Sequence, residues 1–178
     1  MARNQWKRSG GKFLLWKASP ESPLTIGGVP FRIPVVNGYV RPVLVASQTP
    51  VAIPLGGQCE RLHILGQVTF PNGYPVLGKR GSTVATYYLK CSDGQERQLA
   101  VRNGIEVAQS NLIDQATRIE PIATAAQPAL KFVKDIVREQ YQALLWTIPM
   151  EGNEVVALRC EVHDDAPAIA IFAITAES

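Results

Sequence analysis

Residues 73–80, Gly-Tyr-Pro-Val-Leu-Gly-Lys-Arg, come close to the glycine-rich loop that binds nucleotide phosphates. Arg80 stands where that loop needs a Ser or Thr hydroxyl for Mg²⁺, and Pro75 removes a backbone N–H that would face the phosphate. Residues 83–89 are β-branched and aromatic, which predicts a strand where a phosphate loop needs a helix. We therefore interpret the segment as a loop between two strands.

The side chains that could act as bases or nucleophiles lack partners at short sequence spacing. His63 lies in an apolar segment and, by strand alternation, faces the opposite side from Leu62 and Ile64. His163 begins a His-Asp-Asp sequence that is typical of a solvated turn. Cys160 and His163 would point to opposite faces of a strand, and no Gly-x-Ser-x-Gly motif occurs. The sequence predicts no catalytic residue.

Composition limits the class of protein. The chain has 178 residues, enough for one domain, and its 18 basic and 15 acidic residues give a net charge of only +3. A nucleic-acid-binding protein would carry a basic stripe, and a membrane helix needs about eighteen consecutive apolar residues. The sequence has neither, so we expect no nucleic-acid partner and no membrane.

The three cysteines, Cys59, Cys91 and Cys160, are an odd number and form no Cys-x-x-Cys pair. A disulfide framework or structural zinc site is therefore not predicted. Residues 13–16 are the longest apolar stretch near the N-terminus, shorter than the roughly 7–15 residues of a signal peptide, so none is predicted in this chain.

Period-two segments bounded by Gly, Pro, Asn or Asp dominate the chain and predict an antiparallel β-sandwich with little helix. Ser92-Asp93-Gly94-Gln95 predicts a hairpin, since Asp-Gly tolerates positive φ. The central excursion, near 103–130, is long for a loop, and 114–119 or 132–138 could hold a helical turn. The predicted strands are 31–36, 40–46, 51–54, 61–70, 82–91, 96–101, 142–148, 155–162 and 169–175.

The order of several short motifs resembles the galactose-binding-like β-sandwich, a jelly-roll domain often appended to glycoside hydrolases and polysaccharide lyases. The motifs are Gly28-Val29-Pro30-Phe31, Arg61-Leu62-His63-Ile64-Leu65-Gly66, Gly81-Ser82-Thr83-Val84-Ala85-Thr86-Tyr87, Ser92-Asp93-Gly94, Trp146-Thr147-Ile148-Pro149 and the closing run 169–175. The family usually has an asparagine between the late Trp and Pro, where this chain has Thr147-Ile148, so the subfamily stays open.

The resemblance implies a domain over 25–178, preceded by an extension or first edge strand over 1–24. It implies a non-catalytic carbohydrate-binding or accessory domain, extracellular or periplasmic, partnered by a poly- or oligosaccharide and by a catalytic domain or a second copy. It requires no cofactor and allows a structural Ca²⁺ ion, whose ligands the sequence does not identify.

A sugar site combines an aromatic platform with planar polar groups. Two tyrosines follow Asn-Gly turns, and Arg102-Asn103-Gly104-Ile105-Glu106 offers a guanidinium, an amide and a carboxylate at the end of a strand. Lys79 and Arg80 add cations for an anionic sugar. The predicted binding residues are Tyr39, Asn72, Tyr74, Lys79, Arg80, Arg102, Asn103 and Glu106.

Two alternatives stay open. The first is a structural module that binds no sugar and packs against a catalytic domain or a second copy through apolar strands. The second is a small glycan-active enzyme, which needs two carboxylates roughly 5–10 Å apart. Sequence cannot pair the available carboxylates in space: Asp93, Glu106, Asp114, Glu120, Glu139 and Glu151.

Overall fold

The computed structural model describes residues 23–37, 39–69, 80–108, 126–133, 140–163 and 168–178, and the regular structure in these ranges is all β-strand. The strands are β1 (Leu24–Ile26), β2 (Val29–Phe31), β3 (Val35–Val36), β4 (Tyr39–Val40), β5 (Val43–Val45), β6 (Val51–Pro54), β7 (Arg61–Thr69), β8 (Thr83–Cys91), β9 (Glu96–Arg102), β10 (Ala126–Val133), β11 (Gln140–Pro149), β12 (Val155–Val162) and β13 (Ala168–Glu177).

Two antiparallel sheets form a sandwich, which confirms the predicted fold class. The five-stranded sheet has the order β10-β11-β7-β13-β5, and the four-stranded sheet has the order β6-β12-β8-β9. Strands β5, β6, β7 and β8 alternate between the two sheets along the chain. Two short hairpins, β1-β2 and β3-β4, precede the sandwich strands.

Strand alternation builds the core between the sheets. Val84, Tyr87 and Leu89 of β8 point inward, and the Tyr87 ring meets the Trp146 ring of the opposite sheet, with centroids 5.9 Å apart and planes tilted by 33°. Tilted aromatic pairs of this kind add about 0.5–1.5 kcal/mol beyond the burial of their area. The same alternation sends the neighbouring residue, Tyr88, to the other side of the sheet, as predicted for this tyrosine pair.

A second core covers the outer face of the five-stranded sheet. Leu65 and Phe172 point away from the sandwich interior and pack with residues of the N-terminal strands: Ile26, Phe31 and Val40. The central strand β7 is consequently buried on both faces, and every residue from Leu62 to Val68 is buried. Such a strand carries apolar residues in near-continuous runs, as Leu62-His63-Ile64-Leu65 does.

Most predicted strands agree with the structure, and 51–54 and 155–162 match it to the residue. The Asp93-Gly94 hairpin is also confirmed: it joins β8 to β9, Gly94 has a φ of 83°, and the Gln95 N–H donates to Asp93 Oδ1 at 2.9 Å. Two of the predicted strands are each divided into two shorter strands in the structure. Residues 31–36 divide into β2 and β3, and 40–46 into β4 and β5, at points where Pro34 and Pro42 stand.

The prediction for the central excursion was wrong at its end. Residues 126–133 form β10, an edge strand of the five-stranded sheet, so Phe132 and Val133 are extended rather than helical. Proline is unfavourable inside a sheet, but an edge position and the register shift between Pro128 and Leu130 accommodate Pro128. The other suggested helical turn, 114–119, lies outside the described residues. Strand β1 was not predicted as a strand.

Gly66 allows β13 to approach β7 closely. A Cβ added at Gly66 would lie 2.8 Å from the carbonyl oxygen of Ala170, next to the register shift between Ile171 and Ala173.

We expect Gly66→Ala to lower the free energy of unfolding by about 1–3 kcal/mol, because the added methyl group meets backbone that cannot rotate away. Urea denaturation measures the change. Gly56→Ala is the matched control, since a Cβ there meets no atom within 4 Å; equal effects of the two substitutions would contradict the account.

Candidate functional site

Four of the predicted binding residues lie together at one end of the four-stranded sheet. Arg102 ends β9, and its backbone N–H and Nε donate to Glu106 Oε2 at 2.8 and 3.1 Å, while Nη2 donates to Oε1. Arg80 is adjacent, because the Gly81 N–H donates to the Asn103 carbonyl at 2.7 Å. The hydrogen bonds that the Arg102 side chain donates to Glu106 raise the pKa of the guanidinium.

The turn that follows Arg102 is held internally. The Asn103 side chain is only 1% exposed, and its backbone N–H donates to the Ser82 carbonyl at 3.0 Å. Gly104 has a φ of 75°, which allows the chain to return so that Val107 pairs with Asn103. Asn103 therefore lies within the protein, Arg102 is exposed, and the Glu106 side chain is only 12% exposed.

The remaining predicted residues are elsewhere. Tyr39 lies in β4, and the other residue of that strand, Val40, packs in the second core. Val101 and Val107, on either side of the Arg102 turn, pack in the core between the sheets. Strand β4 and the Arg102 turn are therefore on opposite sides of the five-stranded sheet. Asn72, Tyr74 and Lys79 lie outside the described residues and stay predictions.

The outer side of the four-stranded sheet is the surface that local sequence analysis missed. We call it the open face and define it by its outward side chains on β8, β9 and β12: Thr86, Tyr88, Lys90, Glu96, Gln98, Ala100, Arg102, Arg159 and Glu161. Each of these side chains is exposed or half-buried. Arg102, one of the predicted binding residues, lies at one end of this face.

Tyr88 and Arg159 form the centre of the open face. They are direct cross-strand partners, and the Arg159 guanidinium carbon lies 3.8 Å from the centroid of the Tyr88 ring. Arg159 also pairs with Glu161 on its own strand and with Glu96 of β9 at 3.4 Å. A guanidinium stacked on an aromatic ring and held by two carboxylates has little conformational freedom left to lose on binding a ligand.

His63 has partners that its neighbours in sequence did not reveal. Its Nδ1 lies 2.9 Å from Thr147 Oγ1 and its Nε2 lies 2.7 Å from Glu177 Oε2, while Arg61 pairs with the other oxygen of Glu177 at 3.0 Å. These partners come from strands β11 and β13, which flank β7. We call Arg61, His63, Thr147 and Glu177 the histidine clamp.

The histidine clamp has the groups of a hydroxyl–imidazole–carboxylate triad but not its surroundings. Acyl transfer also needs N–H donors aimed at the developing oxyanion. At His63, β7 is paired with a strand on each side, so its backbone N–H groups are used in the hydrogen bonds of the sheet and none points at an oxyanion. The imidazole, at 5% side-chain exposure, fastens the end of β13 to β7. The other histidine, His163, is exposed and contacts Thr86 Oγ1 at 3.2 Å.

Nucleophile and metal chemistry find little support in the part of the chain that the structure describes. Cys59, Cys91 and Cys160 are free thiols, and burial raises the pKa of Cys160 to about 12. Among the described residues, no three His, Cys, Asp or Glu side chains converge to hold a metal ion. Three of the acidic residues considered above, Asp114, Glu120 and Glu139, lie outside those ranges.

A small cavity between the sheets lies beside Tyr87, Trp146 and Glu106. It has room for about one water molecule, which is too little for a sugar ring. The open face is therefore the better candidate for a ligand.

Comparison with known proteins finds no family model, no curated protein and no solved structure that matches the chain. Within the described ranges, no helix is long and apolar enough to cross a membrane.

The histidine clamp predicts a pH-dependent stability. The hydrogen bond from His63, assisted by Arg61, lowers the pKa of the Glu177 carboxyl, so the folded state favours the ionised form. Its stabilisation is present above the ordinary carboxyl pKa and is lost as the pH falls through the lowered value. We expect Glu177→Gln to lower the melting temperature at about pH 7, and the difference from the wild type to shrink toward about pH 3.

Thermal unfolding at both pH values measures this effect, with Glu151→Gln as the control because it removes an exposed carboxylate outside the clamp. A Glu177→Gln deficit of the same size at both pH values would show that the charge of Glu177 is not what stabilises β13.

Proposed function

We propose that the chain is a non-catalytic carbohydrate-binding or accessory domain of a polysaccharide-active system, of the galactose-binding-like jelly-roll type, and that the open face is its glycan-binding surface. The observation that carries this proposal is the Tyr88 ring, half-buried at the centre of an exposed sheet face and surrounded by the polar groups of Arg159, Gln98 and Glu161.

Sugars combine an apolar ring face with an edge of hydroxyl groups, so they suit an aromatic side chain with hydrogen-bonding groups around it. Gln98 is the cross-strand partner of Tyr88 on the side opposite Arg159, so amide and guanidinium groups flank the ring. Ala100 is the next residue after Gln98 on this side of β9, and its small side chain leaves room above the sheet for a ligand. Arg102 lies four residues beyond Gln98, about 13 Å along the strand, within reach of an extended chain of sugars.

The strand topology supports the family resemblance. Jelly rolls are double-sheet structures in which the chain crosses repeatedly between the sheets, and β5 to β8 alternate in this way. The late Trp motif also has a packing role that suits a core position, because Trp146 meets Tyr87 between the sheets.

The carboxylates in the part of the chain that the structure describes favour binding over hydrolysis. A general acid at neutral pH needs a carboxyl whose pKa is raised. The pKa of Glu177 is instead lowered, and Glu96, Glu106 and Glu161 accept hydrogen bonds from arginines.

A structural module remains the second candidate, and one observation favours it. Leu24, Val36 and Val43 expose 39%, 46% and 37% of their surface on the N-terminal strands β1, β3 and β5. Exposed apolar groups on neighbouring elements suit contact with another protein or a second copy. In this case the open face would bind no sugar.

Affinity electrophoresis through soluble polysaccharides, neutral and uronate-bearing, with calcium and then with chelator, separates the two candidates. We expect retardation by at least one polymer and expect Tyr88→Ala to weaken it by at least about tenfold, since the stacking surface is lost. Tyr88→Phe should keep most of the retardation because it keeps the ring.

Arg32→Ala is the control, since it removes an exposed cation from the N-terminal segment. Retardation that survives Tyr88→Ala would keep the binding function and exclude the open face. Mobility that no polymer changes would favour the structural module.

A further inference from the structure

Both arginines of the open face, Arg102 and Arg159, are already paired with carboxylates of the same protein. Arg159 contacts both Glu161 and Glu96, and Arg102 contacts Glu106 through three N–H groups. Lys90 and Glu96 are direct cross-strand partners. The face thus presents ion pairs rather than a positive patch.

This pairing disfavours an anionic ligand. A sugar carboxylate that approached Arg159 would also approach Glu161 and Glu96, and like charges placed together at an interface repel each other. At the other end of the face, a carboxylate would have to compete with Glu106 for the N–H groups of Arg102. The side-chain exposures of Arg159, Glu161 and Glu96, 37%, 38% and 40%, leave all three in contact with solvent.

An exposed arginine–carboxylate pair suits a neutral diol. The guanidinium offers N–H donors, and the carboxylate beside it offers acceptor lone pairs. Of two adjacent sugar hydroxyls, one can accept from the guanidinium while the other donates to the carboxylate, and both bonds are charge-assisted. The Tyr88 ring next to the pair supplies the apolar contact for the sugar ring.

We infer that the open face selects neutral, diol-bearing glycans and rejects uronate-bearing ones, because its guanidinium groups are paired with carboxylates on both sides of Tyr88. This inference rests on the proposed function.

The test compares neutral polymers (a galactomannan, a xyloglucan and a mixed-linkage β-glucan) with polyuronates (polygalacturonate and alginate) in affinity electrophoresis and isothermal titration calorimetry. The expected result is binding of at least one neutral polymer, with an affinity that changes less than about twofold between about 20 mM and 500 mM NaCl, because a neutral ligand releases no counterions. No polyuronate should bind within tenfold of that affinity.

A charge variant provides the sharper test. Glu96→Gln with Glu161→Gln keeps the shapes of the side chains and leaves Arg159 without its two carboxylates. We expect this variant to lose about tenfold in neutral-polymer affinity and to gain polyuronate binding that high salt abolishes. Glu60→Gln with Glu151→Gln, a pair of exposed carboxylates off the open face, should change neither property.

The outcomes separate the two claims. Salt-sensitive binding of a polyuronate by the wild type would overturn the inference and leave the glycan-binding function standing. A charge variant that gains no polyuronate binding, while its thermal unfolding matches the wild type, would also overturn the inference. Failure of every polymer, neutral or acidic, to bind the wild type would overturn the proposed function together with the inference.

Discussion

The rest of the structure depends on the burial of strand β7 on both of its faces. Leu62, Ile64 and Val68 face the core between the sheets, while Leu65 faces the second core under the N-terminal strands. A strand in this position needs close neighbours, and Gly66 provides the close approach of β13. Of the buried polar side chains on this strand, His63 is satisfied by Thr147 and Glu177. The N-terminal hairpins are thus part of the fold rather than an attachment to it.

This constraint assigns different roles to the two sheets. The central strand of the five-stranded sheet, β7, is packed on both of its faces. The four-stranded sheet packs against the core only through its inner face, so its outward residues are available for contact with a ligand or another molecule. The two adjacent tyrosines show this contrast directly, because Tyr87 is buried in the core and Tyr88 lies on the open face. An arginine–carboxylate network at the centre of an open face costs little in water, yet it orients the guanidinium and carboxylate groups that a ligand would meet.

The sequence predicted what is local and missed what depends on register. Alternation located the strands of the sandwich and the inward and outward sides of the tyrosine pair, and Asp93-Gly94 located a hairpin. Arg102 and Glu106 could be grouped from the sequence because they are only four positions apart, and the structure pairs their side chains. The pairing of Tyr88 with Arg159, and of His63 with Glu177, arises from strands that are distant in the chain, and no local pattern specifies it. Strand β10 was missed because Pro128 is unfavourable in a central strand, whereas the fold places it on an edge.

The most direct test of the account is a map of where a sugar touches the protein. Isotope-labelled protein, titrated with short neutral oligosaccharides and followed by backbone amide NMR, should show its largest shifts in residues 86–90, 96–102 and 157–161, which belong to the strands of the open face. Residues 24–45, which cover the other sheet, should change little. Shifts concentrated in residues 24–45 or around the histidine clamp would contradict the claim that the open face is the functional surface.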